Sequence, residues 1–220
     1  MANLTREGDV LLLDLGHAGE DDDHRFSPER IAALEAAIDE AEATTGPAAI
    51  VTTAVGKFYS NGLEPERFTA PGADEYFRAY HGLIARLLSS PIPSVAALQG
   101  HCFAGGLFWA FAHDQRVMRA DRGFVCLPEV HLGMGFTPGM GAIVQARLTP
   151  ASAHEVMTTG RRYGGDDAVA AGIVDVAVGA DEVLSTAVER ATALAPLRGD
   201  AYASIKRQMY AGTLAALTGS

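Results

Sequence analysis

The chain has 220 residues, 48% hydrophobic and 20% charged, which suits one large domain with a full core rather than a disordered or fibrous chain. Its net charge of −10 argues against nucleic acid as the main partner, while local Lys and Arg can still hold an anionic small ligand. No apolar run reaches the roughly 20 residues of a membrane span, and the first residues lack a charged-then-apolar secretory signal, so a cytoplasmic protein is expected.

Residues 9–15 are a continuous apolar run of strand length. The acidic run Glu20-Asp21-Asp22-Asp23-His24 reads as a solvated loop rather than a metal site. Ser27-Pro28 supplies an N-cap and a first helical proline, and Ile31, Leu34, Ile38 and Ala41 recur at helical spacing, so a helix is predicted over 27–45, stopped by Gly46-Pro47. Residues 48–53 form the next buried strand, and strand–helix–strand predicts a right-handed βαβ crossover. A loop rich in Gly and Asn covers 56–64. Residues 73–90 carry the helical stripe Tyr76, Phe77, Tyr80, Leu83, Ile84, Leu87 and Leu88, read chiefly as core packing. A strand at 94–98 runs into a turn at 99–102, and Phe103-Ala104-Gly105-Gly106 opens the apolar segment 107–112. A second strand-like run, 124–127, leads to Pro128-Glu129. Residues 133–139 lack the spacing of a dinucleotide-binding turn and lead into a helix near Pro138. Short helices at 151–159 and 166–171 stop at Gly160 and Gly172, and helices at 181–195 and 200–210 complete a single domain.

The chemistry concentrates between residues 99 and 141. A strand, a glycine turn and a helix start bring unpaired N–H groups and a helix dipole to one place, where negative charge can develop. Glu129 lies at the end of an apolar run, surroundings in which a carboxyl pKa is expected to rise and the group to suit a base near neutrality. An oxyanion site plus one base is the minimum equipment for removing a proton next to a carbonyl. His101 and His131 flank Glu129 as rival bases, His131 on a strand-like segment where it could share a face with Glu129; Tyr59 and Ser60 are weaker rivals. Cys102 and Cys126, both inside apolar runs, read as small buried side chains, not as a disulfide or zinc site. No G-x-S-x-G elbow is present, which disfavours a serine peptidase.

Three motifs in this order resemble the crotonase family, the enoyl-CoA hydratase/isomerases. Gln99-Gly100-His101-Cys102-Phe103-Ala104-Gly105-Gly106 is similar to that family's glycine-rich oxyanion turn, and Pro128-Glu129-Val130-His131-Leu132-Gly133 to its P-E-x-x-L-G segment. Ser60-Asn61-Gly62-Leu63-Glu64 is similar to the first oxyanion loop, (S/A)-x-G-x-D, with Glu64 where Asp is usual. Residues 168–175 are similar to a structural A-x-x-x-G-(I/L)-V-(D/S) segment, and the match spans about residues 9–177. The resemblance implies an α/β crotonase-like (ClpP/crotonase) fold: repeated ββα units wound into a spiral core over 1–178, and a C-terminal helical segment, 179–220, that serves trimer contacts and covers the CoA within the same domain. It implies Glu129 as the catalytic base, the backbone N–H groups of Leu63 and Gly105 as the oxyanion hole, and Ser60, Asn61, Gly62, Gly106 and Phe108 beside the substrate. It further implies an acyl-CoA substrate, no metal, no cofactor beyond the CoA that the substrate carries, no nucleic-acid or membrane partner, and a homotrimer or dimer of trimers. Lys206 and Arg207 are either surface helix charges or contacts to a CoA phosphate.

Hydratases of this family carry a second glutamate soon after the glycine turn, where this chain has Phe108. A single carboxylate in a dry pocket suits a 1,3-proton shift, so the resemblance points to the Δ3,Δ2-enoyl-CoA isomerase branch, with Glu129 moving a proton from C2 to C4 of a 3-enoyl-CoA. Residues 112–123 are also more similar to the plant and peroxisomal isomerases. A 2-enoyl-CoA hydratase, another crotonase-fold activity such as thioester hydrolysis or decarboxylation, and a non-catalytic CoA-binding protein stay open as alternatives.

Overall fold

Aliphatic strands buried on both faces build the centre of the molecule. The structure, a computed structural model, describes residues 3–16 and 23–219; of the acidic run, Glu20, Asp21 and Asp22 lie outside the described residues. A hairpin of β1 (Asn3–Glu7) and β2 (Val10–Asp14) leads to helix α1 (Pro28–Ala43), where Ser27 caps the first turn by accepting from Arg30 N–H. Three ββα turns follow. The first is β3 (Ala49–Thr53), β4 (Phe58–Ser60) and α2 (Ala73–Leu88). The second is β5 (Ser94–Leu98), β6 (His101–Phe103) and α3 (Gly105–Ala112). The third is β7 (Gln115–Arg119), β8 (Val125–Cys126) and α4 (Pro138–Arg147).

In each turn the first strand joins one sheet and the second strand another. The large sheet has the order β1-β2-β3-β5-β7 and ends on β9 (Val176–Val178), with every pair after the first hairpin parallel. The small sheet is β4-β6-β8, parallel throughout. This is the crotonase-like spiral of ββα units. Between α4 and β9 run α5 (Pro150–Thr159) and α6 (Gly165–Ala170); after β9 come α7 (Val183–Leu194), α8 (Asp200–Met209) and α9 (Ala211–Thr218).

Strand alternation sorts the core into two layers. Ile50, Ala96, Leu98 and Met118 face the main core with α1, α2 and α3, whereas Val10, Val51, Val95, Ala97 and Val117 face Ala187 and Ala191 of α7 on the other side. Both faces are covered, which explains why these strands read as unbroken apolar runs. The segment after residue 178 is packed against this body: α7 lies across the large sheet, and α9 contacts α2 and α4. Gly139 lets α9 in, since a Cβ there would stand 2.8 Å from the Leu217 side chain.

Several sequence expectations change. Only Gln99-Gly100 make the turn, because residues 101–103 pair as β6 between Phe58 and Val125. Part of the 56–64 loop is strand β4. Lys206 is neither a surface charge nor free to meet a phosphate. It is 4% exposed, with Nζ 2.9 Å from Asp114 Oδ1 and donating to Leu87 O at 3.4 Å, an ion pair that offsets the burial lowering its pKa. Arg207 is exposed. No helix among the described residues is long and apolar enough to cross a membrane.

Lys206→Met would leave the part-buried Asp114 carboxylate without its cation, still bonded by Ser94 N–H and Oγ. We expect it to lose about 3 kcal/mol of stability in urea unfolding at neutral pH, whereas Arg207→Met, at an exposed position, should fall within about 0.5 kcal/mol of wild type.

Candidate active site

Two backbone turns meet here, and glycines decide how closely. After β4 the chain passes through Gly62 (φ 88°), a conformation that favours glycine. A Cβ on Gly62 would stand 2.9 Å from Gly105 N, and one on Gly105 would stand 3.1 Å from Leu63 N. The glycines therefore admit the protein's own second loop, bringing the Leu63 and Gly105 peptides side by side.

A hydrogen-bond census of residues 61–64 isolates one group. Asn61 N–H donates to Asp23 O at 2.7 Å, Gly62 N–H to Ser60 Oγ at 3.2 Å, and Glu64 N–H to the Tyr76 hydroxyl at 2.9 Å. Arg25 donates to Asn61 O at 3.2 Å and Leu63 O at 2.9 Å; Gly62 O accepts from Phe26 N–H, and Glu64 O from Arg67 N–H. Leu63 N–H is left without an acceptor among the described residues. Gly105 N–H, at the first position of α3, is in the same state, as an orphan donor of a helix start. The preceding residue, Ala104, has φ 48° and ψ −120°, a sparsely populated conformation for a non-glycine residue, and it sets the direction of the Gly105 N–H.

Both turns border a cavity of about 350 Å³, within the usual size of small-molecule sites. Its lining is mostly apolar, with Phe68, Phe77, Phe108, Leu132, Met134 and Met140 prominent. Glu129 reaches it from a short 3₁₀ turn (Glu129–Leu132) just after β8. Glu129 is 7% exposed, and its Oε2 has no hydrogen-bond partner among the described residues. Burial raises its pKa from an ordinary 4.5 to about 7, only partly countered by its own backbone N–H. Phe108 is 1% exposed and packs edge-on against Phe136 at 6.0 Å between centroids, lining the cavity with hydrocarbon.

Of the residues expected from sequence, Asn61, Leu63, Gly105, Phe108 and Glu129 line this cavity. Ser60, Gly62 and Gly106 do not; they shape its wall from behind. Ser60 is fully buried, its hydroxyl donating to His24 O at 2.8 Å, and a Cβ on Gly106 would stand 2.6 Å from Ser60 O. The rival bases also lie elsewhere. His131 sits on the 3₁₀ turn rather than a strand, exposed and against Gly160. His101 packs among Phe58, Phe103 and Phe124, with Nδ1 accepting from Phe124 N–H at 3.2 Å. Tyr59 is buried with its hydroxyl on Thr52.

Lining residues that the sequence did not single out are Arg25, Thr137 and Arg162, which carry no motif; Cys126, also in the lining, donates its thiol to Gly160 O at 3.3 Å and is pushed up to about 11 by burial. Among the described residues, no group of three or more His, Cys, Asp or Glu is placed to hold a metal ion.

The sequence profile described as Enoyl-CoA hydratase/isomerase matches residues 23–219. The peroxisomal enoyl-CoA delta isomerase 2 of Arabidopsis thaliana is 34% identical over 224 aligned residues, covering 96% of this chain and 92% of the relative. The apo structure of an enoyl-CoA isomerase from Mycobacterium tuberculosis is 29% identical with a TM-score of 0.89, covering 99% of this chain and 94% of that one. The human mitochondrial delta3-delta2-enoyl-CoA isomerase, 21% identical, shares the fold with a TM-score of 0.90 over 99% of this chain and 86% of its own.

The burial of Glu129 has a stability consequence with a definite sign. Its folded pKa lies above its unfolded one, so the native state holds the extra proton between 4.5 and about 7, and stability falls as pH rises through that window. Glu129→Gln removes the ionisation. It should therefore stabilise the protein by about 1–3 kcal/mol at about pH 8 and lose that advantage near pH 4, as read by urea unfolding of both proteins.

Proposed function

Because this chain belongs to the enoyl-CoA hydratase/isomerase family, we propose that it is an enoyl-CoA isomerase that moves a double bond from C3 to C2 of an acyl-CoA. The observation that carries the reading is a lone, desolvated carboxylate in an apolar cavity that also presents two unpaired backbone donors.

The thioester oxygen of a 3-enoyl-CoA is seated on the N–H groups of Leu63 and Gly105. Glu129 takes a proton from C2; the C–H electron pair forms the C1–C2 double bond of a dienolate, and the charge passes to the thioester oxygen. Donors fixed before the reaction stabilise that charge without reorganisation, each contributing on the order of 10²–10³ in rate. The dienolate then collapses: C2–C3 becomes the double bond, the old C3–C4 pair takes the proton back from Glu129 at C4, and the carbonyl reforms. Net proton count is zero, and one base suffices.

The environment suits both half-steps. A carboxyl held near pKa 7 is a stronger base than an exposed one, and burial lets it remain neutral while the dienolate exists. Phe108, held edge-on by Phe136, offers water in the cavity no partner, which disfavours addition to the 2-enoyl product. Phe68, Phe77 and Met140 suit an aliphatic acyl chain, and Arg25 and Arg162 in the lining offer positive charge to the anionic CoA portion.

Incubation with a 3-enoyl-CoA should give the 2-enoyl isomer, and incubation with a 2-enoyl-CoA should give no 3-hydroxy product; steady hydration would instead support a hydratase. Glu129→Gln should lower kcat by roughly 10²–10⁴. In the wild type, kcat/KM should rise with pH and reach half its plateau near pH 7, because the ionised carboxylate is the active form.

A further inference from the structure

The two backbone donors belong to different loops, so their mutual angle must be set by something that touches both. Helix α2 does. Tyr76 and Tyr80 stand four residues apart, one turn along the same face. The Tyr76 hydroxyl accepts from Glu64 N–H at 2.9 Å and donates to Phe26 O at 2.6 Å. The Tyr80 hydroxyl donates to Gly105 O. Each thus grips the peptide that immediately follows a donor residue: Leu63–Glu64 for Tyr76, Gly105–Gly106 for Tyr80. We propose that Tyr76 and Tyr80 are positioning residues that set the geometry of the oxyanion hole from a single helix. The inference rests on the reading of Leu63 and Gly105 as the oxyanion donors.

Two further features support it. Both side chains are buried, 6% and 0% exposed, and Tyr80 packs edge-on to Phe26 at 5.2 Å, so its ring is held in place. Phe26 belongs to the same network, since its N–H donates to Gly62 O at 2.8 Å. The second feature is Ala104. Its φ of 48° with ψ of −120° persists only where the surroundings over-determine it. Its N–H is fixed on Cys126 O at 3.0 Å, and the Gly105 carbonyl, one peptide beyond the donor N–H, is fixed by Tyr80. Removing the Tyr80 oxygen releases the carbonyl side of Gly105, the residue whose N–H is the proposed donor and which follows the strained Ala104. Burial pushes Tyr76 up to about 12 and Tyr80 well above its ordinary value, so both remain neutral hydrogen-bonding groups rather than acids.

The test compares Tyr76→Phe and Tyr80→Phe with Tyr59→Phe. Tyr59 is an equally buried tyrosine whose hydroxyl bonds Thr52 at 2.6 Å and no residue of either donor loop. Three readouts are taken: turnover of a 3-enoyl-CoA, the ultraviolet signal of enolised acetoacetyl-CoA bound to the protein, and the Kd of the saturated butyryl-CoA. Each clamp variant should lower kcat and the bound enolate about 10- to 100-fold, less than outright loss of a donor, while the Kd of butyryl-CoA moves by no more than about threefold. Tyr59→Phe should lower the melting temperature yet leave turnover and enolate intact. If the clamp variants lose only thermal stability and keep both signals, the inference is overturned while the isomerase reading stands. If the wild type neither turns over nor enolises, the oxyanion reading itself falls, and this inference with it. Should Tyr80→Phe fail to fold, Tyr76→Phe decides the matter alone.

Discussion

The whole site depends on how closely two peptide segments approach across Gly62 and Gly105. Any side chain at either position would drive the loops apart, since a Cβ on Gly62 meets Gly105 N at 2.9 Å and one on Gly105 meets Leu63 N at 3.1 Å. Backbone groups in such proximity are costly to leave unpaired, and the protein pairs nearly all of them: Asp23, Arg25, Phe26, Ser60, Arg67 and Tyr76 together satisfy residues 61–64. The exceptions are therefore informative. A donor left open in so thoroughly bonded a loop is available to a ligand oxygen at no cost in competing bonds.

The same logic governs Glu129, with opposite sign. A carboxylate with an unpartnered, buried oxygen lowers the stability of the native state once it ionises, and its own backbone N–H relieves this only in part. Arg25 and Arg162 line the same cavity, yet no ion pair joins either to Glu129 among the described residues. An arginine beside Glu129 would stabilise the fold and depress the carboxyl pKa, leaving a poor base. Ion pairs lie elsewhere: Lys206–Asp114 and the Arg116–Asp175 contact at 3.0 Å tie the C-terminal half to the spiral.

How much of this could be read from the chain depended on the range of the interactions. The start of α1 was legible because Ser27 and Pro28 act on their own helix turn, and β2, β3 and β5 because a strand covered on both faces needs an unbroken apolar run. Strands β4 and β6 were not: three residues show no period, and their pairing partners lie 43 residues apart, Phe58 with His101. The strand expected at His131 fails for a related reason, since a period of two does not hold where the backbone makes a 3₁₀ turn. Glu129, Leu63 and Gly105 were named from motif resemblance and do border one cavity. Ser60, Gly62 and Gly106 share those motifs but support the wall, and a motif does not distinguish lining from support. Tyr76 and Tyr80 read from sequence only as core, because an aromatic stripe on a helix gives that signal and the hydrogen bonds at the polar end of each ring leave no periodic trace.

The topology explains why these groups converge although they are spread along the chain from Leu63 to Glu129. Strands β4, β6 and β8 are adjacent and parallel in the small sheet. Each ends with the chain leaving in the same direction, and each is followed within three residues by one functional group: Leu63 after Ser60, Gly105 after Phe103, Glu129 after Cys126. Parallel strands present their C-terminal ends side by side, so a crevice there collects one contribution from each turn of the spiral. The ββα repeat thus brings two unpaired N–H groups and a buried carboxylate together from three successive turns. Helix α2, which belongs to the first of those turns, touches both segments because Tyr76 and Tyr80 lie one helical turn apart, so a single element of the repeat bonds the chain on either side of the crevice.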